Sequence, residues 1–220
     1  MSQRLAELLV NSFWQILLPG LRITVPLTMI SFAISLVIAL FTAVVQAAEI
    51  KGLKQLARLY VWIIRGTPLL IQLYIIFYGL PGLGVTLDAF LSAILVFAIN
   101  TGAYASETIR AAIESIPKGQ LEAGYCVGMT YAQTMVRIIL PQAFRTAFPP
   151  LCNSLIGLVK DTSLAANITV MEMFMSAQRI AARTYEPFAL YCEVGFIYLM
   201  FCTVLTRIQR IWESKLKLGA

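Results

Sequence analysis

The chain has 220 residues, of which 59% are hydrophobic and only 13% charged, with a mean hydropathy of +0.79 and a net charge of +6. Soluble domains carry about 25% charged residues, so this sequence cannot cover a water-facing surface, and a bilayer is the solvent that fits. Its basic residues sit in short patches between apolar runs, which reads as membrane topology rather than nucleic-acid binding.

Histidine is absent, which removes the commonest metal ligand and general base. Cys126, Cys152, Cys192 and Cys202 form no CxxC pair and read as small packed hydrophobes. No metal, cofactor or catalytic constellation is expected, so a membrane enzyme is disfavoured.

The first residues lack a basic stretch followed by a short apolar core and a cleavage site, which reads against a cleaved leader. Ser2 to Leu18 carries Leu5, Leu8, Leu9, Ile16 and Leu17 at helical spacing. Residues 1–20 are therefore predicted as an amphipathic interfacial helix. The first span is expected from Ile23 to Ala48, with Pro26 tolerable near its start. The second runs from Tyr60 to Tyr78 and is expected to break at Arg65-Gly66-Thr67-Pro68. A turn at Leu80–Gly84 precedes the third span, Phe90 to Ala112. The fourth is interrupted: Leu151 to Val159, then Lys160-Asp161-Thr162-Ser163, then Leu164 to Val170. Phe148-Pro149-Pro150 reads as its entry. A polar outer loop holds Glu172, Arg179, Arg183 and Glu186, and the fifth span is Phe188 to Leu205.

Five spans divide the basic residues unequally. Lys51, Lys54, Arg58, Arg65, Arg110, Lys118, Arg137, Arg145, Arg207, Arg210, Lys215 and Lys217 fall on one side; Arg4, Arg22, Arg179 and Arg183 fall on the other. The positive-inside rule then puts the N-terminus outside and the C-terminus in the cytoplasm. The expected fold is an all-α membrane protein, a single permease domain over 1–220.

Residues 114–144 are then cytoplasmic. Pro117 suits a first helical turn, Gln120 to Val127 follows, and Gly128 is a hinge. Tyr131 to Leu140 forms a second short helix, which Pro141 is expected to stop. Spacing alone leaves open a docking element or an amphipathic loop lying on the bilayer.

Glu122-Ala123-Gly124, Gly128 and Ile139-Leu140-Pro141 closely resemble the EAA loop of ABC importer permeases. That family's third motif residue is usually alanine, and Gly124 departs from it in a way expected to loosen the helix. Arg65 to Leu69, Asn100-Thr101 with Ala103-Tyr104 and Glu107, Leu140 to Ala143, and Leu158 to Leu164 resemble polar amino acid permeases of the histidine, glutamine, arginine and cystine type. The likeness covers Leu21 to the C-terminus, and the third and fourth spans look nearest to cystine permeases. It implies a bacterial inner-membrane subunit and a five-helix core paired with a second copy or close homologue. It further implies separate ATP-hydrolysing subunits and an extracytoplasmic solute-binding protein. Glu122, Ala123, Gly124, Gly128, Leu140 and Pro141 would form the coupling element. The chain has no GxxxxGK[ST] phosphate loop, in keeping with ATP bound elsewhere.

Polar groups within spans are functional candidates. Asn100, Tyr104 and Glu107 share one helical face. Asn100 and Tyr104 are candidate solute-pathway residues, with helix–helix bonding the competing role for Asn100. Glu107 is expected to be structural, paired with Arg110 or holding the coupling loop. Lys160 and Asp161 are candidates for meeting a zwitterionic solute, against an ion pair that fixes the fourth helix. Ser154, small and neutral, argues against a strongly cationic solute. Arg65 has two candidate places, the cavity and the inner interface, and is expected to snorkel to the interface. The alternative function is an ion-coupled secondary transporter or channel needing no ATPase, although no internal repeat is visible.

Overall fold

The computed structural model describes residues 3–47 and 52–218. Ser2, the expected span end Ala48 and the basic Lys51 lie outside the described residues. Every regular element among the described residues is helical.

Helix α1 (Gln3–Pro19) does not end where the interfacial helix was expected to end. A π turn at Gly20–Thr24 carries it into α2 (Val25–Ala47), giving one helix of 45 residues. At 1.5 Å per residue this is roughly 65–70 Å, well beyond a bilayer core of about 30 Å. The apolar face of α1 is spent on protein: Ile16 is fully buried among Met173, Ala177, Leu190 and Ile197.

Helix α3 (Leu53–Gly66) and α4 (Leu69–Tyr74) meet at a 105° bend, the break expected from the Gly-Thr-Pro sequence. Helix α5 (Ala89–Glu114) is the central element, capped by Asp88 Oδ1, which accepts from Leu91 N at 3.0 Å. It crosses α2 through small residues four apart: Ser31, Ser35, Ala39 and Ala43 on α2, and Ala98, Gly102 and Ser106 on α5. A Cβ on Gly102 would lie 2.9 Å from Ile38 Cγ2 and 3.3 Å from Ser35 O, so the backbones approach too closely for any larger residue.

Helix α6 (Lys118–Cys126) and α7 (Tyr131–Thr134) follow, then α8 (Leu140–Asp161), α9 (Met173–Thr184) and α10 (Pro187–Leu218). Two sequence expectations are corrected here. Pro141 does not stop the second short helix, which passes through a π turn at Met135–Ile139 straight into α8. Phe148-Pro149-Pro150 is no helix entry, because α8 is already two turns old there.

One rule explains the three π turns, at Gly20–Thr24, Ile75–Gly79 and Met135–Ile139. Each precedes a proline by two residues: Pro26, Pro81 and Pro141. A proline ring clashes with the carbonyl four residues back, here that of Arg22, Phe77 or Arg137. Each of these is the middle residue of its π turn. Widening the helix there moves the carbonyl aside and lets the chain remain helical.

Among the described residues, three helices, 3–47, 89–114 and 187–215, are long and apolar enough to cross a bilayer, and the bent pair 53–66 with 69–83 passes as a fourth. Helix α8 is less uniformly apolar. One face buries Ala143, Ala147 and Leu151 against α2 and α5, and another carries Ser154, Gly157 and Asp161.

Candidate functional site

The break between α3 and α4 creates a polar wall. Pro68 has no N–H, so the carbonyl of Ile64, four residues back, has no helical donor. The Gln72 side chain supplies one: its Nε2 lies 2.8 Å from Ile64 O and also bonds Thr67 O at 3.1 Å and Thr67 Oγ1 at 2.9 Å. Asn100 orients that amide, donating from Nδ2 to Gln72 Oε1 at 3.0 Å. Both residues are buried. Asn100 thus carries the helix–helix bond that was its competing role, and through it fixes the shape of the break.

A cavity of about 650 Å³ opens against this wall. Asn100, Tyr104, Ser154 and Asp161 all line it, together with Thr67 and Arg65. At Asp161 the chain changes from α to a tighter 3-10 helix, Thr162–Ile168. The interrupted fourth span is therefore a change of helix type beside the cavity.

Two placements differ from expectation. Lys160 does not share the cavity with Asp161; it lines a separate recess with Ser163, Tyr191 and Tyr198. Arg65 lines the cavity, the other of its two candidate places. Its guanidinium carbon stands 5.3 Å from the Tyr104 ring centroid, within the cavity wall.

Glu107, one turn beyond Tyr104, faces a second cavity of about 800 Å³ at the far end of α5. Arg110 holds it, with Nη2 2.9 Å from Oε2 and Nε 3.4 Å from Oε1. Arg110 also grips Glu114 at 2.6 and 2.7 Å.

The elbow of α6 and α7 borders this second cavity through Lys118, Leu121 and Tyr131. Gly128 has φ +77°, a left-handed conformation that glycine adopts freely, and it turns the chain between the helices. Thr130 caps α7 in a reciprocal capping box with Gln133. Gly124 is buried against Thr134, while Glu122 and Ala123 are exposed. Tyr125, Val127, Tyr131 and Val136 all present apolar surface outward. Leu140 and Pro141 lie where the elbow joins α8.

Sequence reasoning missed Glu172. Its carboxylate is fully buried and caps α9, accepting from Phe174 N at 2.8 Å, Met175 N at 2.7 Å and the Tyr198 hydroxyl at 2.8 Å. Burial pushes this carboxyl above the usual range, and the three donors pull it part of the way back. Gln72 was also missed; an uncharged polar residue inside the apolar run Leu69–Tyr74 was its only signal.

The model of the binding-protein-dependent transport system inner membrane component family matches residues 36–218. The chain belongs to that family. Among relatives of this family member is the L-cystine transport system permease protein TcyB of Bacillus subtilis (strain 168), 50% identical over 96% of this chain and 90% of that protein. The probable amino-acid ABC transporter permease protein PatM of Vibrio harveyi is 40% identical over 91% of this chain and 92% of its own length. A crystal structure of an amino acid ABC transporter with histidines matches with a TM-score of 0.90 and 32% identity, covering 98% of this chain and all of that one. The inward-facing MetNI methionine ABC transporter shares the fold, with a TM-score of 0.75 at 19% identity. Such permeases sit in the inner membrane as multi-pass subunits, and an ATPase partner goes with transporters of this kind.

Proposed function

We propose that this chain is the permease subunit of an ATP-driven importer for a polar amino acid, with L-cystine the leading candidate. The observation that carries the reading is the polar cavity at the α3–α4 break, walled by Asn100, Tyr104, Ser154 and Asp161 in an otherwise apolar chain. Similarity to an L-cystine permease supports the choice of solute. Lys160 points elsewhere and is left out of the solute site.

In this reading the chain itself carries out no covalent chemistry. ATP binds to and is hydrolysed by partner subunits, and no cofactor is needed here. An extracytoplasmic binding protein delivers the solute, and a second permease, identical or homologous, completes the pathway. The N-terminus lies outside and the C-terminus in the cytoplasm, in keeping with the distribution of Lys and Arg. Glu122, Ala123, Gly124 and Gly128 form the part of the elbow that meets the ATPase, and Leu140 and Pro141 pass its motion into α8. Transport is then a linkage between nucleotide state and cavity state. An ion-coupled carrier or ATP-independent channel is not favoured by membership of a binding-protein-dependent family.

The test is uptake of labelled L-cystine, presented with its binding protein, into vesicles holding the chain and whatever ATPase and permease co-purify with it. ATP-dependent uptake, reduced by Asp161→Asn, is expected. Uptake that proceeds without ATP or ATPase would overturn the reading.

A further inference from the structure

Arg65 stands between the two cavities. It closes the last turn of α3, one residue before the break region, and its side chain is 44% exposed. One side of the guanidinium faces the cavity at the break, over the Tyr104 ring. Behind it, Nη1 lies 3.8 Å from Glu107 Oε2, too far for a hydrogen bond. Glu107 is held more closely by Arg110, and Gln46 Nε2 approaches its Oε1 at 3.4 Å. Arg65 is thus the loosest partner of this carboxylate, and its fork of donors is left facing the cavity.

The charges around the cavity are few and opposite. Arg65 is the one cation and Asp161 the one anion among the lining residues. An α-amino acid carries one carboxylate and one ammonium. Guanidinium pairs with a carboxylate through two parallel hydrogen bonds, a far better contact than the 3.8 Å approach to Glu107.

We propose that Arg65 receives the solute's α-carboxylate, giving up Glu107 as it does so. This rests on the amino-acid reading above and names the group that recognises the solute class. The exchange leaves Glu107 to Arg110 and Gln46. Arg110 in turn holds Glu114, the last residue of α5, and Lys118 begins the coupling elbow four residues later. A filled cavity therefore alters the charge balance at the root of the elbow. By linkage, the state of the elbow alters solute affinity.

The experiment is equilibrium binding to the purified permease–ATPase complex, without binding protein, using two probes. These are L-cystine and cystamine, the same disulfide diamine without its carboxylates. Arg65→Gln is expected to weaken L-cystine binding about tenfold or more without weakening cystamine, a dication that has no carboxylate to lose and is repelled by Arg65. Arg65→Lys should restore part of the affinity. Glu107→Gln should tighten L-cystine binding a few-fold, because the competitor for Arg65 is weakened. Unchanged L-cystine affinity in Arg65→Gln, an equal loss for both probes, or weaker binding in Glu107→Gln would each overturn the exchange. A wild-type complex that binds neither L-cystine nor glutamine, arginine or histidine would remove the amino-acid reading, and this inference with it.

Discussion

A Cβ on Gly124 would lie 2.5 Å from both Cγ2 and Oγ1 of Thr134. Thr134 is itself fully buried, and its hydroxyl donates to Thr130 O at 3.1 Å. The glycine that departs from the family pattern is what lets α6 and α7 close on each other. Gly124→Ala should cost about 1–3 kcal/mol of stability by overpacking. Gly124→Ala with Thr134→Ala should recover most of it, because the two atoms at 2.5 Å are gone. Thermal unfolding of the detergent-solubilised complex, read beside ATPase co-purification, measures both. A double variant no better than Gly124→Ala would show that the contact is not the cause.

Glu122 is exposed on the elbow beside Tyr125 and Val127. Reversing its charge should disturb a docked partner and little else, as surface changes away from special features cost about 0.5 kcal/mol or less. Glu122→Lys is expected to insert normally, lose the ATPase on purification and abolish transport. Normal transport in this variant removes the coupling role from Glu122.

The Asn100–Gln72 bond closes the α3–α4 break. Either residue changed to alanine strands a buried polar group, at about 1–3 kcal/mol. The two changes together should cost less than their sum, with a coupling of about 0.5–3 kcal/mol. A double-mutant cycle on thermal stability measures this. Strict additivity would mean that the two side chains act independently.

Glu172 gives stability a pH dependence. Its carboxyl is raised by burial from an ordinary value of 4.5. The folded state therefore holds the proton more tightly than the unfolded chain. This contribution is fully present below about 4.5 and is lost as pH rises through the raised folded value. Glu172→Gln should flatten the melting temperature across that window while keeping hydrogen bonds to the cap. Glu172→Ala should lower it at every pH by removing the cap and stranding Tyr198, at a cost of about 2–4 kcal/mol. A Gln variant with unchanged pH dependence would assign that dependence to another group.

The amino-acid sequence by itself determined the solvent, the helical class and the elbow. Composition forced a bilayer, Gly-Thr-Pro at 66–68 forced a break, and Gly128 forced a turn, because each acts through local backbone or solvation physics. The position of the cavity residues on α5 was also legible, since Asn100 and Tyr104 are one helical turn apart. What the sequence could not decide was direction. Lys160 and Asp161 are neighbours, but successive residues on a helix diverge by about 100°. Only the packing of α8 against α5 and α10 shows that Asp161 meets the cavity while Lys160 meets a recess beside Tyr198. Arg65 had two places open to it, and only the packing of α3 against α5 sets its guanidinium 5.3 Å from the Tyr104 ring centroid. The prolines taught the same lesson. Pro141 removes one donor wherever it stands, but whether the helix stops or widens depends on what the next turns gain by continuing. Here α8 goes on to bury Ala143, Ala147 and Leu151 against α2 and α5, and that tertiary gain keeps the helix intact through its π turn.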